Sequence, residues 1–176
     1  NGYAHPEVGP DGMSCFMQID PGLGNGGAIL ESVVVHELHH CVQYTYTVDA
    51  PSWIYEAGAT AEQYEHVQSA TLQGALDVLW NDRLRGADRA MASQDGRFEY
   101  AGFLLFKFLT EYPSLDRARS VALWEALEAA PEWTVGLDTL ADEAWGLDLD
   151  TLLLDFHTWN AFACARDDGQ HYLDDR

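Results

Sequence analysis

The stretch from about Ala28 to Tyr46 constrains the fold of this chain most strongly, because it is one long helical pattern that contains a cluster of histidines. Apolar residues occupy nearly every face of this pattern, which predicts a buried central helix. The segment 36–40 places three histidines in that helix. Buried imidazoles need hydrogen-bond or metal partners. The fold must therefore bring polar groups from another element against this helix.

The pentapeptide His36-Glu37-Leu38-His39-His40 matches the H-E-x-x-H metal motif. At about 100° per residue, the first and last histidines lie one turn apart on the same face, so both imidazoles can reach one ion. Glu37 lies beside that face, where a base for a metal-activated water is needed. His36 and His39 form an alternative chelating pair, but that pair leaves Glu37 without this role. We therefore expect zinc on His36 and His40, with His39 as a flanking group.

The third ligand of a catalytic zinc site is predicted to be Glu56. A turn at 49–51 separates the first helix from a second, and Glu56 falls in the first turn of that second helix. The small residues of segment 57–61 allow the two helices to approach closely, which brings the carboxylate to the metal. The alternative is an acidic residue that is favoured near a helix N-terminus by the helix dipole alone.

The rest of the chain predicts a mainly α fold with a small β portion in a single domain, residues 1–176. Residues 1–27 form a strand and loop lead-in, with one strand at 14–19 and a glycine-rich turn at 22–27. Residues 28–69 form the zinc-binding helices, and residues 70–176 form a helical C-terminal part. Seven helices are expected, at about 28–46, 52–69, 72–85, 98–111, 115–129, 138–145 and 149–165.

Composition excludes several classes of partner. The 176 residues include 29 acidic and 9 basic side chains, a formal charge of −20, and a single lysine, Lys107. This charge repels phosphate backbones and anionic lipids, so we expect no nucleic acid and no membrane among the partners. No apolar run approaches the about 18 residues that span a bilayer. With 47% hydrophobic residues, the chain can build a folded core.

Cysteines and acidic pairs leave alternatives open. Three cysteines allow at most one internal disulfide, with one thiol left over. Pairs of aspartates are weak candidates for Ca²⁺ ligands, but none matches the EF-hand spacing, so solvated acids are the preferred interpretation. The residues concerned are Cys15, Cys41 and Cys164, and Asp148 with Asp150, Asp167 with Asp168, and Asp174 with Asp175.

H-E-x-x-H followed by a helix bearing W-x-x-E resembles the gluzincin metallopeptidases, which include thermolysin-like enzymes and the family of aminopeptidase N and leukotriene A4 hydrolase. The chain is most similar to a little-characterised group of bacterial metallopeptidases, and the resemblance spans about Val33 to Asn160. The helix motifs are specific and the later motifs are weak. The matching segments are His36 to Gln43, Trp53 to Ala59, Tyr100 to Gly102, and Trp159-Asn160.

This resemblance implies a reduced zincin-like α+β fold in which the active-site helix packs on a glutamate helix. His36, His40 and Glu56 would bind zinc, and Glu37 would act as general base and acid. Tyr100 corresponds to a tyrosine that hydrogen-bonds the oxyanion, although a core aromatic is an equal alternative. His66 and His157 are the other candidate donors.

Two departures from the family pattern matter. The segment 12–16 does not supply the G-x-M-E-N glutamate that holds the substrate amine in the aminopeptidases, which favours an endopeptidase. The chain also has room for only one or two strands before the helix. Either the sheet is reduced, with residues 15–19 as the surviving edge, or an upstream segment or propeptide has been removed, as Asn1 in place of Met suggests.

The expected function is zinc-dependent hydrolysis of peptide or protein substrates by a secreted enzyme. The alternative is a non-catalytic binding or structural domain in which zinc staples two helices. A zinc hydrolase of a non-peptide bond is a third possibility. Glu37 argues against a stapling site, because such a site needs no base beside the metal.

Overall fold

The fold was analysed in a computed structural model that describes residues 2–9, 12–23, 27–67, 69–86, 88–163, 166 and 168–173. It is mainly helical with a small two-stranded sheet, which confirms the predicted fold class. Short 3-10 turns occur at Pro21–Leu23 and Tyr100–Gly102. The elements in the described part are β1 Gly2–Gly9, β2 Gly12–Ile19, α1 Ala28–Tyr46, α2 Ser52–His66, α3 Ala70–Arg85, α4 Phe103–Glu111, α5 Ala118–Ala129, α6 Trp133–Trp145 and α7 Leu149–Ala161.

The chain divides into two compact units, Asn1–Leu104 and Leu105–Arg176. The first contains the hairpin and α1 to α3, and the second contains most of α4 together with α5 to α7. The prediction of a single domain stays a prediction. Within the described ranges, none of the helices combines the length and the apolar character needed to cross a bilayer.

The strands β1 and β2 form an antiparallel hairpin, of which the sequence predicted only the second strand. Their register runs from Gly2 opposite Ile19 to Gly9 opposite Gly12. Residues 24–26 of the predicted glycine-rich turn lie outside the described residues. Both strands contact α1, and a disulfide joins Cys15 of β2 to Cys41 of α1 with 5.4 Å between the Cα atoms. The hairpin is therefore tied covalently to the helix that carries the histidines.

Helix α1 turns a polar face, rather than an apolar one, towards the rest of its unit. The prediction that it is buried on nearly every face is wrong: Ile29, Leu38 and Val42 are 58%, 52% and 47% exposed. The hairpin and α2 cover only part of its circumference, and the buried positions carry groups that hydrogen-bond to neighbouring elements. The buried residues are Ser32, His36, Glu37, His40 and Gln43.

Helix α2 packs against α1 through the small residues that the sequence singled out. Ala57 and Ala59 are fully buried, as is Trp53. The 3-10 turn Tyr100–Gly102 also lies against α2, where a Cβ added at Gly102 would come within 2.9 Å of the Ala57 Cβ. Glycine at this position allows the turn to approach the helix and places Tyr100 beside the first unit's polar centre.

The second unit has its own aromatic and aliphatic core, in which Phe108 packs against Phe156 at a ring distance of 5.4 Å. The single lysine, Lys107, is buried and pairs with Glu111 one turn later. Lys107 is therefore an internal ion-pair partner rather than a surface group.

Helix α6 begins at Trp133, five residues before the predicted start, and ends at a left-handed Gly146.

Removing the Cys15–Cys41 disulfide should destabilise the first unit. For the observed separation of 26 residues, the loss of cross-linking entropy corresponds to about 3.5 kcal/mol, and a two-stranded hairpin is marginal by itself. We expect the Cys15→Ser/Cys41→Ser variant to show this decrease in unfolding free energy in urea. A reductant should lower the stability of the wild type but not of the variant, and equal stability of both proteins would contradict the prediction.

Candidate metal centre

Helix α1 presents His36 and His40 one turn apart, as the motif predicts. Their Nε2 atoms are 3.1 Å apart, and the two rings are perpendicular at a centroid distance of 4.7 Å. Both residues are buried. The helix thus directs two imidazole nitrogens at one point between α1 and its neighbour.

Helix α2 brings Glu56 to the same point. Its Oε2 atom lies 3.0 Å from His36 Nε2 and 3.7 Å from His40 Nε2. The connection between the helices is held by the Tyr55 hydroxyl, which donates to the Thr47 carbonyl at 2.8 Å. Within the described residues, these three side chains are the one group of three or more potential ligands whose ligand atoms lie within 4.8 Å of one another.

The distances within this group fit a metal ion. A tetrahedral zinc site with bonds of about 2.0–2.1 Å has ligand atoms about 3.3 Å apart, and the observed separations are 3.0, 3.1 and 3.7 Å. Two imidazole nitrogens and one carboxylate oxygen are also a common donor set for zinc and similar cations. His36, His40 and Glu56 can therefore hold a metal ion together.

The pKa values of the group reflect its close contacts. Burial raises the pKa of Glu56, but hydrogen bonds to His36 and His40 and their charges outweigh it and lower the pKa to about 2. For His40, burial lowers the pKa, but the hydrogen bond to Glu56 and the charges of Glu56 and Glu37 outweigh burial and raise the pKa overall. The carboxylate therefore stays ionised, as a metal ligand must.

These shifts predict a pH dependence for the metal-free protein. The lowered Glu56 pKa adds stability above its ordinary value of 4.5 that is lost towards pH 2. The raised His40 pKa adds stability below 6.5 that is lost at higher pH. We expect the unfolding free energy of the wild type to exceed that of Glu56→Gln by up to about 3 kcal/mol between pH 4.5 and 6.5, and this difference should decrease outside that range. Chelator-treated protein in urea would measure this, and a pH-independent difference would contradict it.

Glu37 lies beside the metal group in a cleft of about 360 Å³. Its side chain is buried, and no hydrogen bond joins it to another described residue. Strand β1 passes directly over it, because a Cβ added at Gly2 would lie 2.6 Å from the Glu37 Cγ. A carboxylate that faces a cleft next to a metal group can accept a proton there. The cleft is lined by Gly2, Tyr3, Val33, His36, Glu37, Gln63 and Tyr100.

Tyr100 reaches this cleft from the 3-10 turn, with its ring 6.0 Å from the ring of His36. Burial and the charge of Glu56 raise the pKa of Tyr100 to about 12. Its hydroxyl therefore keeps its proton at neutral pH and can donate a hydrogen bond into the cleft. The structure brings the proposed ligands, the proposed base and Tyr100 into one region of the first unit.

The other nominated histidines are not part of this group. His39 does not join it, and burial together with the charges of His40 and His36 lowers its pKa to about 3. His66 is exposed and pairs with Glu62 at 3.0 Å. His157 is exposed on α7, in the second unit. Of the two chelating pairs considered, the structure therefore brings His36 and His40 together with Glu56.

Two of the candidate calcium residues make other contacts. Asp148 caps α7 by accepting a hydrogen bond from the Thr151 N–H at 2.8 Å, and Asp168 contacts His171 Nδ1 at 2.8 Å. Among the described acids, none of these pairs forms a metal-sized cluster. Asp167, Asp174, Asp175 and the third cysteine, Cys164, lie outside the described residues.

Two glutamines that lie beside the histidines were assigned no role by the sequence analysis. Gln63 Oε1 lies 2.9 Å from His36 Nδ1, and Gln43 Oε1 lies 2.8 Å from His40 Nδ1. The available signal was their spacing: Gln43 is three residues after His40, and Gln63 is two helical turns after Glu56, so each shares a helix face with a ligand.

Comparison with known proteins assigns no family to this centre. No family model, no curated protein and no solved structure matches the chain. The centre is therefore interpreted from its own geometry.

Proposed function

We propose that this protein is a zinc-dependent peptidase of the gluzincin type that hydrolyses internal peptide bonds. The observation that carries the proposal is the arrangement beside the metal group: three ligand atoms converge, and one of the ligands, His36, lines a cleft together with the buried carboxylate of Glu37 and the protonated phenol of Tyr100. A site that only joined two helices would need neither the carboxylate nor the phenol.

His36, His40 and Glu56 are the residues that would hold the zinc ion. When bound there, zinc supplies a Lewis acid that polarises a carbonyl group and makes water more acidic near neutral pH. Three protein ligands are typical of catalytic zinc sites, whereas structural sites usually have four. The donor set within the described residues therefore favours a catalytic role over a structural one.

Glu37 is the proposed general base and acid. Its carboxylate takes a proton from water as the water oxygen attacks the carbonyl carbon, and it then passes the proton to the leaving nitrogen as the C–N bond breaks. The close contact between β1 at Gly2 and the Glu37 side chain limits the positions that the carboxylate can adopt. We expect this packing to keep the carboxylate directed along the cleft.

Tyr100 is the proposed donor to the oxyanion that forms during this attack. Because its hydroxyl is protonated and lies near the metal group, Tyr100→Phe should lower kcat by about 10²–10³-fold, the range for loss of one oxyanion donor. Zinc content should not change. Steady-state hydrolysis of a fluorogenic peptide measures the effect, with Tyr46→Phe, on α1 but away from the cleft lining, as the matched control. Unchanged kcat in Tyr100→Phe would remove Tyr100 from the mechanism.

An endopeptidase agrees with the composition of the cleft. An aminopeptidase needs an additional carboxylate to hold the substrate amine, and Glu37 is the one acidic residue among the described residues that line the cleft. The Cys15–Cys41 disulfide supports the proposal of an extracellular location, because such bonds persist mainly in oxidising compartments.

The proposal is tested by measuring metal content and casein hydrolysis on the same purified protein. We expect about one zinc per chain, loss of cleavage after chelation, and recovery when zinc is restored. Zinc without any cleavage of casein or of a mixed peptide library would overturn the peptidase proposal and favour the stapled binding domain. Cleavage that survives complete removal of metal would overturn the zinc mechanism.

A further inference from the structure

We infer that Gln43 and Gln63 are positioning residues, each of which fixes one histidine with its Nε2 lone pair directed at the metal. This inference rests on the proposed metal site but not on the reaction performed there. Its basis is a pair of hydrogen-bond chains in which each glutamine joins a backbone carbonyl of the opposite helix to one imidazole.

The amide of Gln43 can take only one orientation. Its Nε2 donates to the Tyr55 carbonyl at 3.0 Å, and a carbonyl oxygen can only accept. The Oε1 atom therefore faces His40 Nδ1 at 2.8 Å, and that nitrogen must carry the proton. Gln43 is completely buried, so water does not compete for these bonds. The remaining nitrogen, His40 Nε2, faces Glu56 in the metal-free protein and is the one left to offer a lone pair to a metal.

The amide of Gln63 is fixed in the same way from the other helix. Its Nε2 donates to the Ser32 carbonyl at 3.1 Å and to the Ser32 hydroxyl at 2.7 Å. The Oε1 atom then accepts from His36 Nδ1 at 2.9 Å. His36 Nε2 is thus the nitrogen left for a metal, and in the metal-free protein it faces the Glu56 carboxylate and the Nε2 of His40.

The two hydrogen-bond chains run between the same two helices in opposite directions. Gln43 of α1 bonds to the backbone of α2, and Gln63 of α2 bonds to the backbone of α1. The contacts that hold the helices together therefore also orient the ligands. Packing α1 against α2 in this arrangement therefore also orients the two histidines of the metal site.

The choice of an amide also has a chemical consequence. A carboxylate partner adds negative charge behind a metal-binding imidazole and makes it a stronger donor. A neutral amide fixes the tautomer and the ring orientation without adding that charge. Glu56 then supplies the one negative charge among the three ligands, and the bound cation keeps more of its Lewis acidity.

The test compares three glutamine-to-methionine variants, which keep the length of the side chain but remove its hydrogen bonds. Gln43→Met and Gln63→Met each remove one of the two hydrogen-bond chains. Gln73→Met is the matched control, because the Gln73 amide donates to the Val67 carbonyl at 3.1 Å and to the Tyr64 carbonyl at 3.3 Å in the same unit, and neither carbonyl belongs to a metal ligand. Zn²⁺ affinity is measured by competition with a chromophoric chelator, and the visible spectrum is recorded with Co²⁺.

We expect Kd for Zn²⁺ to increase about 10–100-fold in Gln43→Met and Gln63→Met, with a changed Co²⁺ spectrum, and to stay within about twofold in Gln73→Met. Gln63 is only partly buried, so its variant supplies the test if Gln43→Met does not fold. Wild-type Kd and spectrum in a folded Gln63→Met, or equal loss in the control, would overturn the inference. A protein whose zinc affinity depends on the two glutamines but that cleaves nothing would support the inference and contradict only the proposed function.

Discussion

Replacing Glu37 by glutamine should leave zinc bound and lower peptide hydrolysis by about 10²–10⁴-fold, the usual contribution of a general acid or base. Glutamine keeps the size of the side chain and its contact with strand β1 at Gly2, but it cannot accept a proton from water. We expect the loss in kcat, with a small change in KM. Single-turnover cleavage of a fluorogenic peptide measures the loss of hydrolysis, and zinc analysis of the same sample measures the retained metal.

The matched control is Glu31→Gln, which removes an exposed carboxylate from the first turn of the same helix. It changes the net charge by the same amount and should keep full activity. Full activity in Glu37→Gln would reject the assignment of the base. Loss of zinc from Glu37→Gln would instead show that the residue contributes to the metal site itself.

Replacing Glu56 should remove the metal and the activity together. Structural zinc sites with four ligands bind with about 10–16 kcal/mol, which gives about 2.5–4 kcal/mol for one ligand and an increase in Kd of about 10²–10³-fold. Glu56 is also the one charged ligand beside His36 and His40. Competition titrations with Glu56→Ala and Glu56→Gln measure the change, and the rise in melting temperature on adding zinc should shrink in both variants.

Glu62→Gln is the control for this experiment, because Glu62 lies on the same helix and pairs with the exposed His66. Its Kd for zinc should match the wild type. A folded Glu56→Ala variant with full zinc occupancy at low micromolar zinc would mean that another residue supplies the third ligand. Equal weakening in Glu62→Gln would indicate a general effect of charge.

The metal group could be predicted from the sequence because its geometry is mostly local. The helical period by itself puts His36 and His40 on one face, and the turn before α2 limits where Glu56 can lie. The predicted bounds of α1 match those observed, since glycines precede it and the period is unbroken to Tyr46. These features depend on short-range spacing, which a single sequence displays directly.

The surroundings of the group could not be predicted, because they depend on tertiary contacts. Strand β1 alternates side chains between two faces, but it is identified as a strand only when its pairing with β2 is known. The buried face of α1 is determined by its partners on α2. The apolar residues on its other faces therefore led to the wrong prediction that nearly every face is buried. Gln43 ends the segment that resembles the metallopeptidase motif and Gln63 belongs to no motif, and only the structure shows that each reaches a histidine.

The central claim is that His36, His40 and Glu56 hold one catalytic zinc ion that is open to the cleft beside Glu37. Anomalous diffraction at the zinc edge from crystals of the metal-loaded protein tests it most directly. The account predicts one site, with zinc about 2.0–2.2 Å from two Nε2 atoms and a Glu56 oxygen, and a fourth position that faces the cleft. A site closed by four protein ligands, or zinc bound elsewhere on the chain, would contradict it.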